Sequence, residues 1–339
     1  MYNVMAIGNA LVDHEYVLSD AALEETDLTR GNMTLAGLEE QQQLLAYFKL
    51  AEIEPSKQAG GGSAANTMYA FASLGGKPFY ACRVGDDDQG AFYLRDLHEA
   101  GVATSDKSIH EGGVTGSCVV AVTEDGERTM QTYLGTSSDI TADNVDFEAL
   151  TQANWLYLEG YLAMSESIQP AMTQLRQQAG IHGAKIAVSF ADPAVIKFAK
   201  DGLLNMLGNK VTVIFCNSEE AKLFTDKKQI KAAARALLDY CQTAVVTNGA
   251  NGAVVVHKSN DESEIEIYDI PTPVVANVID TNGAGDNYAG TFLYALSQQY
   301  SLPECGRLAS EVSAQVVQQF GPRLASQDYK DIAQRVLSA

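Results

Sequence analysis

The chain has 339 residues and is strongly acidic, because 23 Lys and Arg stand against 43 Asp and Glu and give a formal net charge of −20. An excess of negative charge with no basic cluster argues against nucleic acid and anionic membranes as partners. No apolar run approaches the ~20 residues that a membrane span requires, and the five cysteines lack metal-ligand spacing. The first residues lack the pattern of a signal peptide, so we expect a cytoplasmic protein with reduced cysteines.

The first apolar run, residues 4–7, predicts a strand, and a small-residue turn then leads to Leu11 and Asp13. Open α/β sheets bind ligands at the carboxyl edge, where such turns lie. A carboxylate beside an apolar run is costly unless it has a partner. For Asp13 this partner is either a substrate hydroxyl or a local turn, and the residue alone favours the turn.

A glycine run is the next notable feature. Residues 38–50 predict a helix after a short strand within 31–35, and Gly61 and Gly62 then lead into an Ala-rich helix that ends at Gly75. The glycines allow backbone donors to approach a ligand, and Asn66 can both donate and accept. The alternative is a tight loop before a well-packed helix, but three consecutive glycines are more than a loop needs.

A hairpin interrupts the chain after a predicted strand at 79–84 and a helix that ends at 100. The β-rich runs 115–122 and 128–134 flank an Asp-Gly turn, which predicts a separate small sheet. From this hairpin Arg128 could turn toward a phosphate, although a solvated arginine is the simpler interpretation. Acidic residues 86–88 are typical of helix capping rather than of a metal site.

Strands and helices then alternate, which predicts a parallel sheet covered on both faces. The predicted strands are 155–159, 185–190, 211–216, 244–247, 252–257 and 274–279. The predicted helices are 167–180, 194–207, 218–225, 229–241 and 287–299.

Two polar turns follow strands in this region. Asn217 and Glu220 fit a capping box, but the same residues could place Glu220 near a Mg²⁺-bound water, since hard oxygen ligands suit Mg²⁺. Thr247, Gly249 and Gly252 form a turn that would suit contact with a nucleotide.

The motif that organises the chain is the turn from Asp280 to Asp286. Gly283, Ala284 and Gly285 precede Asp286, just before the predicted helix 287–299. Small residues at a helix N-terminus can bind an anion, and an adjacent carboxylate can accept a proton, as phosphoryl transfer to a hydroxyl requires. The alternative is a glycine-rich turn whose aspartate satisfies the helix dipole.

Together these stretches resemble the ribokinase-like (PfkB) carbohydrate and nucleoside kinases over nearly the whole chain, most closely the adenosine-kinase-like branch. Residues 60–75 are similar to the amino-terminal signature of that family and residues 280–293 to its carboxyl-terminal signature. The resemblance implies a ribokinase-like α/β fold, with a doubly wound, mostly parallel sheet and helices on both faces. It implies a large domain of residues 1–12, 37–103 and 135–339, and a small β-sheet lid of residues 13–36 and 104–134.

The resemblance also implies roles for individual residues. The catalytic set is Asp286 as general base with an anion hole of Gly283, Ala284 and Gly285. The substrate-binding set is Leu11, Asp13, Gly61, Gly62, Asn66 and Tyr161. The ATP-binding set is Asn217, Glu220, Thr247, Gly249, Gly252 and Arg128, with Glu220 holding Mg²⁺ through water. In some members residues matching Asp280 and Asn282 help to hold a monovalent cation, which makes K⁺ a further candidate.

The expected reaction is ATP- and Mg²⁺-dependent phosphorylation of the primary hydroxymethyl of a ribose-type sugar or nucleoside. The expected assembly is a monomer or a lid-mediated homodimer. Ala194 and Val195 stand where related nucleoside kinases tend to have an aromatic that stacks on the base, which leaves a free sugar such as ribose or fructose as an alternative. A nicotinamide-dependent oxidoreductase is disfavoured because no Gly-x-Gly-x-x-Gly follows the first strand, and a non-catalytic ligand-binding member because a sensor has no use for a base.

Overall fold

The computed structural model describes residues 1–258 and 264–338. Its strands, in chain order, are β1 (Tyr2–Ile7), β2 (Leu11–Val17), β3 (Met33–Leu35), β4 (Lys57–Gly61), β5 (Pro78–Ala81), β6 (Val84–Gly85), β7 (Ile109–His110), β8 (Gly116–Val122), β9 (Arg128–Tyr133), β10 (Ala153–Leu158), β11 (Lys185–Ser189), β12 (Val211–Asn217), β13 (Cys241–Thr247), β14 (Ala253–His257) and β15 (Glu266–Ile270). Its helices are α1 (Asp20–Glu24), α2 (Leu38–Leu50), α3 (Ser63–Ser73), α4 (Asp88–Glu99), α5 (Phe147–Thr151), α6 (Gln169–His182), α7 (Pro193–Phe198), α8 (Lys200–Leu207), α9 (Ser218–Thr225), α10 (Ile230–Leu237), α11 (Ala284–Ser297), α12 (Leu302–Val316) and α13 (Ser326–Leu337).

Within these ranges, eight strands form one large sheet in the order β15–β14–β13–β12–β11–β10–β1–β5. The strands from β13 to β5 run parallel, whereas β14 and β15 are antiparallel to their neighbours. The predicted strands from 155 to 257 are confirmed. They read as nearly continuous apolar runs because both faces of a parallel sheet are covered.

The two faces of the large sheet carry separate helical layers. Along β1, Val4 and Ala6 pack on the side of α3, α11 and α12, while Met5 and Ile7 pack on the side of α6 and α9. Alternate residues of a strand point to opposite faces, so a single apolar strand serves both layers. This is the predicted doubly wound α/β architecture with helices on both sides.

A second sheet of five strands in the described ranges has the order β3–β9–β8–β2–β4. The predicted hairpin is confirmed as β8 and β9, which pair antiparallel. On one face Tyr16 and Val119 pack against Leu44 and Phe48 of α2. The opposite face carries Cys118, Val120 and Met130 and lines a large cavity. The second sheet therefore covers the carboxyl edge of the large sheet.

Residues 37–61 differ from the predicted division of the chain. The prediction assigned them to the large domain, but α2 packs on the second sheet and β4 pairs with β2. The cause is the buried apolar stripe of α2, whose partners lie on β2 and β8. That the second sheet moves as a lid stays a prediction.

The prediction of a strand at residues 274–279 is wrong. This segment pairs with no strand in the described part of the chain, and Val274 and Val278 are 100% and 60% exposed. Two nearby prolines, Pro271 and Pro273, lack the N–H that a sheet ladder needs. β-branched residues indicate a strand only where there is a surface to bury them. Separately, no helix of the described residues has the length and apolar character of a membrane span.

Candidate active site

A cavity of about 720 Å³ lies between the carboxyl ends of the large sheet and the inner face of the second sheet. It is where an open α/β sheet is expected to bind its ligand. Of the predicted site residues, those that line it are Leu11, Asp13, Gly62, Asn66, Tyr161, Asn217, Glu220, Thr247, Asn282, Gly283, Gly285 and Asp286. Those outside its lining are Gly61, Arg128, Gly249, Gly252, Asp280 and Ala284.

Asp286 lies in the first turn of α11 and faces the cavity. The Ser63 hydroxyl donates to its Oδ1 at 2.6 Å, and the Asn66 amide donates to its Oδ2 at 3.0 Å. Burial raises the pKa of this carboxyl to about 6, against the lowering effect of those two hydrogen bonds and of the Arg323 charge. The carboxylate is therefore held by both oxygens and remains ionised at neutral pH.

The backbone next to Asp286 presents N–H groups to the same space. The N–H groups of Gly283, Gly285 and Asp286 have no partner among residues 1–258 and 264–338, whereas that of Ala284 donates to the Thr281 carbonyl at 3.3 Å. Unpaired N–H groups at a helix N-terminus form an anion site. The structure thus differs from the prediction at Ala284, whose N–H closes the turn, and offers the N–H of Asp286 in its place.

The C-terminal region holds this loop in shape. Gly283 has φ +71°, and a Cβ there would lie 2.5 Å from the Pro322 carbonyl oxygen. Asn287 donates through Nδ2 to the carbonyls of Gly283 and Pro322, each at 2.7 Å, and accepts from the Tyr329 hydroxyl. Glycine is therefore required at 283 for both its backbone conformation and its close packing.

Asp13 projects into the cavity from β2, and its carboxylate accepts no hydrogen bond from the residues that the structure describes. Burial raises its pKa to about 7, although Arg323 and Arg128 lower it. A Cβ on Gly61, in the paired strand β4, would overlap the Asp13 carboxylate. A carboxylate that faces a cavity without a donor favours a ligand hydroxyl as its partner over a local turn.

Glu159 is a buried site residue that the sequence did not single out. It follows β10 and accepts from Asn9 N at 3.2 Å, from Asn9 Nδ2 at 2.9 Å and from Ala64 N at 2.7 Å. Burial raises its pKa to about 7, and these hydrogen bonds oppose the rise. It therefore ties the turn after β1 to the N-terminus of α3, the helix that carries Ser63 and Asn66. A charged residue that ends an apolar strand was the available signal.

Asn217 and Glu220 form the predicted capping box at the start of α9. Asn217 Oδ1 accepts from Glu220 N at 2.9 Å, and Glu220 Oε2 accepts from Asn217 N at 2.9 Å. Glu220 is nevertheless part of the cavity lining, and burial raises its pKa to about 7.

No group of three His, Cys, Asp or Glu side chains that could hold a metal occurs in the described ranges. The carboxylate of Glu220 in the cavity lining fits Mg²⁺. This ion commonly takes one or two carboxylates together with phosphate oxygens and water rather than a protein cage.

Arg128 lies outside the cavity and forms ion pairs with Asp280 and, at 3.4 Å, with Glu15. The buried Asp280 also accepts from Gly321 N at 2.7 Å and from Asn282 N at 2.8 Å. Contrary to the expectation, Arg128 is thus directed at carboxylates rather than toward a phosphate site. The guanidinium already neutralises Asp280, and use of K⁺ at Asp280 and Asn282 stays a prediction.

The predicted nucleotide turn lies at the end of β13. Thr247 lines the cavity, and Gly249 and Gly252 lie in the short turn between β13 and β14. A Cβ on Gly252 would overlap the Ile270 carbonyl, so this glycine is required by packing against the end of β15.

An apolar region forms another part of the cavity. Its side chains come from the second sheet, from the residue after β9 and from the short turn Gly160–Met164, and they are Leu11, Met33, Leu35, Leu134, Tyr161 and Met164. Ala194 also lines the cavity, as the small residue that the sequence predicted in place of a stacking aromatic.

Comparison with known proteins places this geometry in a family. Adenosine kinase from Sinorhizobium meliloti is 32% identical, with a TM-score of 0.87 over 98% of this chain and 99% of that chain. A probable sugar kinase from Rhizobium etli CFN 42 is 30% identical, with a TM-score of 0.88 over 98% of each chain. Adenosine kinase from Saccharomyces cerevisiae is 26% identical over 340 residues, which cover 96% of this chain and 97% of that protein.

Residues 33–328 match the family described as pfkB family carbohydrate kinase. This match spans well over half of the chain and agrees with the fold and with the resemblance of the two signatures. The chain therefore belongs to the pfkB family of carbohydrate kinases and is a kinase similar to adenosine kinases and sugar kinases.

Proposed function

We propose that this kinase transfers the γ-phosphoryl group of ATP to the primary hydroxymethyl of a nucleoside, with Asp286 as the general base. One observation carries the proposal: a carboxylate with its own hydrogen-bond donors faces the cavity beside three N–H groups that have no partner among the described residues. A base for the hydroxyl and an anion hole for the phosphoryl oxygens are the two features that this reaction needs from a protein.

Asp286 suits the role of base by its ionisation as well as its position. A pKa of about 6 leaves the carboxylate charged at neutral pH and makes it a stronger base than an exposed aspartate. Ser63 and Asn66 hold both oxygens, which orients the carboxylate toward an alcohol in the cavity. The proton of the attacking hydroxyl moves to Asp286 as the phosphoryl group is transferred.

The N–H groups of Gly283, Gly285 and Asp286 would bind the oxygens of the group in transfer, aided by the dipole of α11. Glu220 and Asn217 would hold Mg²⁺ through water, and the ion would offset the negative charge of the ATP phosphates. Thr247 and the turn of Gly249 and Gly252 would border the nucleotide.

The remainder of the cavity supports a nucleoside as acceptor. Asp13 and Asn66 would bind ribose hydroxyls, and the apolar region around Leu11 and Tyr161 would cover a base. A free sugar has no base, so it would leave the apolar part of the cavity empty. Because Ala194 offers no aromatic stack, we expect weaker discrimination between bases than a stacked site gives.

The second sheet would act as a lid over this acceptor. Its inner face, with Cys118, Val120 and Met130, forms one wall of the cavity. Closure of such a wall excludes water and limits hydrolysis of ATP without transfer.

An ADP-release assay tests the proposal with adenosine, other nucleosides, ribose and fructose as separate acceptors. Turnover with nucleosides above that with free sugars is expected, and the reverse order would identify a free-sugar kinase. Asp286→Asn should lower kcat by at least ~10² while acceptor binding survives. Asp328→Asn, an exposed aspartate in the first turn of α13, is the matched control and should leave kcat unchanged. Near wild-type turnover of Asp286→Asn would remove Asp286 from the role of base.

A further inference from the structure

Arg323 lies in the segment between α12 and α13, and its side chain is only 8% exposed. Its Nε donates to Asn66 Oδ1 at 2.9 Å, and its Nη1 donates to Asp96 Oδ2. The guanidinium also lies over the Tyr69 ring, 4.7 Å from the centroid. Three contacts to three side chains define the orientation of this arginine.

The contact with Asn66 has a chemical consequence. A guanidinium can only donate hydrogen bonds, so the Asn66 oxygen must face Arg323. The Asn66 NH₂ group is then turned away from the arginine, and it donates to Asp286 Oδ2 at 3.0 Å. The arginine therefore selects the one amide orientation in which Asn66 is a donor to the proposed base.

We propose that Arg323 is a positioning residue for phosphoryl transfer, which acts through Asn66 to hold the Asp286 carboxylate toward the acceptor hydroxyl. This inference rests on the proposed function of Asp286 and adds a residue that lies outside both signature motifs. It assigns Arg323 no contact with substrate or nucleotide.

Gly60 supports the inference independently. A Cβ at Gly60 would lie 2.5 Å from Asp96 Oδ2 and 3.0 Å from Arg323 Nη1. The first glycine of the run thus clears space for the Arg323–Asp96 ion pair, as Gly61 does for Asp13. This explains the length of the run, which a loop alone does not require.

The positive charge of Arg323 also helps to keep Asp286 ionised. Several ionisable groups influence Asp286 or are influenced by it, namely Asp13, Tyr157, Glu159, Tyr161, Glu220 and Arg323. The charge of Asp286 raises the pKa of the carboxyl groups among them, whereas the positive charge of Arg323 lowers the pKa of both Asp286 and Asp13. Loss of that charge should raise the pKa of the proposed base.

The test compares Arg323→Gln, Arg323→Lys and the control Arg335→Gln. Arg335 is an exposed arginine on α13 that pairs with Glu311 on α12. Arg323→Gln should lower kcat roughly 10- to 100-fold and move the acidic limb of the kcat/KM profile up by roughly 1 pH unit. Arg323→Lys keeps the charge but not the planar geometry, so its acidic limb should return toward that of the wild type while kcat stays reduced. Arg335→Gln should match the wild type in both measurements.

A purely structural role would lower the melting temperature without moving the pH profile, so that result overturns the inference. So does an unchanged kcat and pH profile in a folded Arg323→Gln protein. If Arg323→Gln does not fold, Arg323→Lys decides. A reduced kcat with the melting temperature and acidic limb of the wild type supports the inference, whereas wild-type turnover, or a reduced kcat together with a lowered melting temperature, overturns it. Asp286→Asn is measured alongside: wild-type turnover there refutes the proposed function, whereas loss there with wild-type behaviour in both Arg323 variants refutes this inference alone.

Discussion

Replacing Asp13 by Asn should make the protein more stable and less able to bind its acceptor. The Asp13 carboxylate faces the cavity without a donor from the described residues, and burial raises its pKa from 3.8 to about 7. A group with a raised folded-state pKa destabilises the fold progressively as the pH rises from the unfolded to the folded value. Above pH 7 the destabilisation by the ionised Asp13 has reached its full value. An asparagine stays neutral and does not cause this destabilisation.

The size of the effect follows from the pKa difference. At 1.36 kcal/mol per pKa unit, the raised pKa of Asp13 lowers the free energy of unfolding by roughly 4 kcal/mol at pH 8 and by roughly 1.7 kcal/mol at pH 5. Because the side chain is only partly buried and water screens it, we expect about half of this difference. Asp13→Asn should therefore gain roughly 1 kcal/mol more in free energy of unfolding at pH 8 than at pH 5.

Denaturant unfolding of the wild type and Asp13→Asn at pH 5 and pH 8 measures this difference. The exposed Asp239→Asn serves as the control and should show no pH-dependent gain. Asp13→Asn should also raise the KM for the acceptor roughly 10-fold or more, because a hydrogen bond to a charged group is lost. A variant that is less stable than the wild type at pH 8, or whose stability difference is independent of pH, would refute this reasoning.

Two further predictions rest on particular contacts, and a third concerns the metal ion. Gly283→Ala should lower the free energy of unfolding by roughly 2 kcal/mol or more, because it combines a positive φ with a clash against Pro322. A Cβ on Gly285 meets no atom of the described residues within 4 Å, so Gly285→Ala should keep its melting temperature and lose kcat. Equal melting temperatures for the two variants would contradict this. Arg128→Met should lower the free energy of unfolding by roughly 3–5 kcal/mol, because it leaves Asp280 buried without its ion-pair partner. The double variant with Asp280→Asn should recover part of this loss, and fully additive losses would argue against the pair. Removal of Mg²⁺ by chelation should abolish phosphoryl transfer and its return should restore it, while activity in excess chelator would exclude the metal from the reaction.

The alternating α/β architecture, the hairpin of the second sheet and the two loops that meet in the cavity could be predicted from the amino-acid sequence. These features are local. The periodicity of apolar residues is set within about ten residues. Gly283 and Gly62 occupy backbone conformations that L side chains rarely adopt, so their motifs are visible in isolation.

The residues that surround Asp286 could not be predicted in this way, because they come together only when the whole chain packs. Ser63 and Asp286 are 223 residues apart in the chain, and Asn66 and Arg323 are 257 apart. No local pattern marks Arg323, and none directs Arg128 to Asp280 rather than to a phosphate. Such partners are chosen by the burial of charge, since a charged group that leaves water must find its counterpart wherever the packed chain brings one.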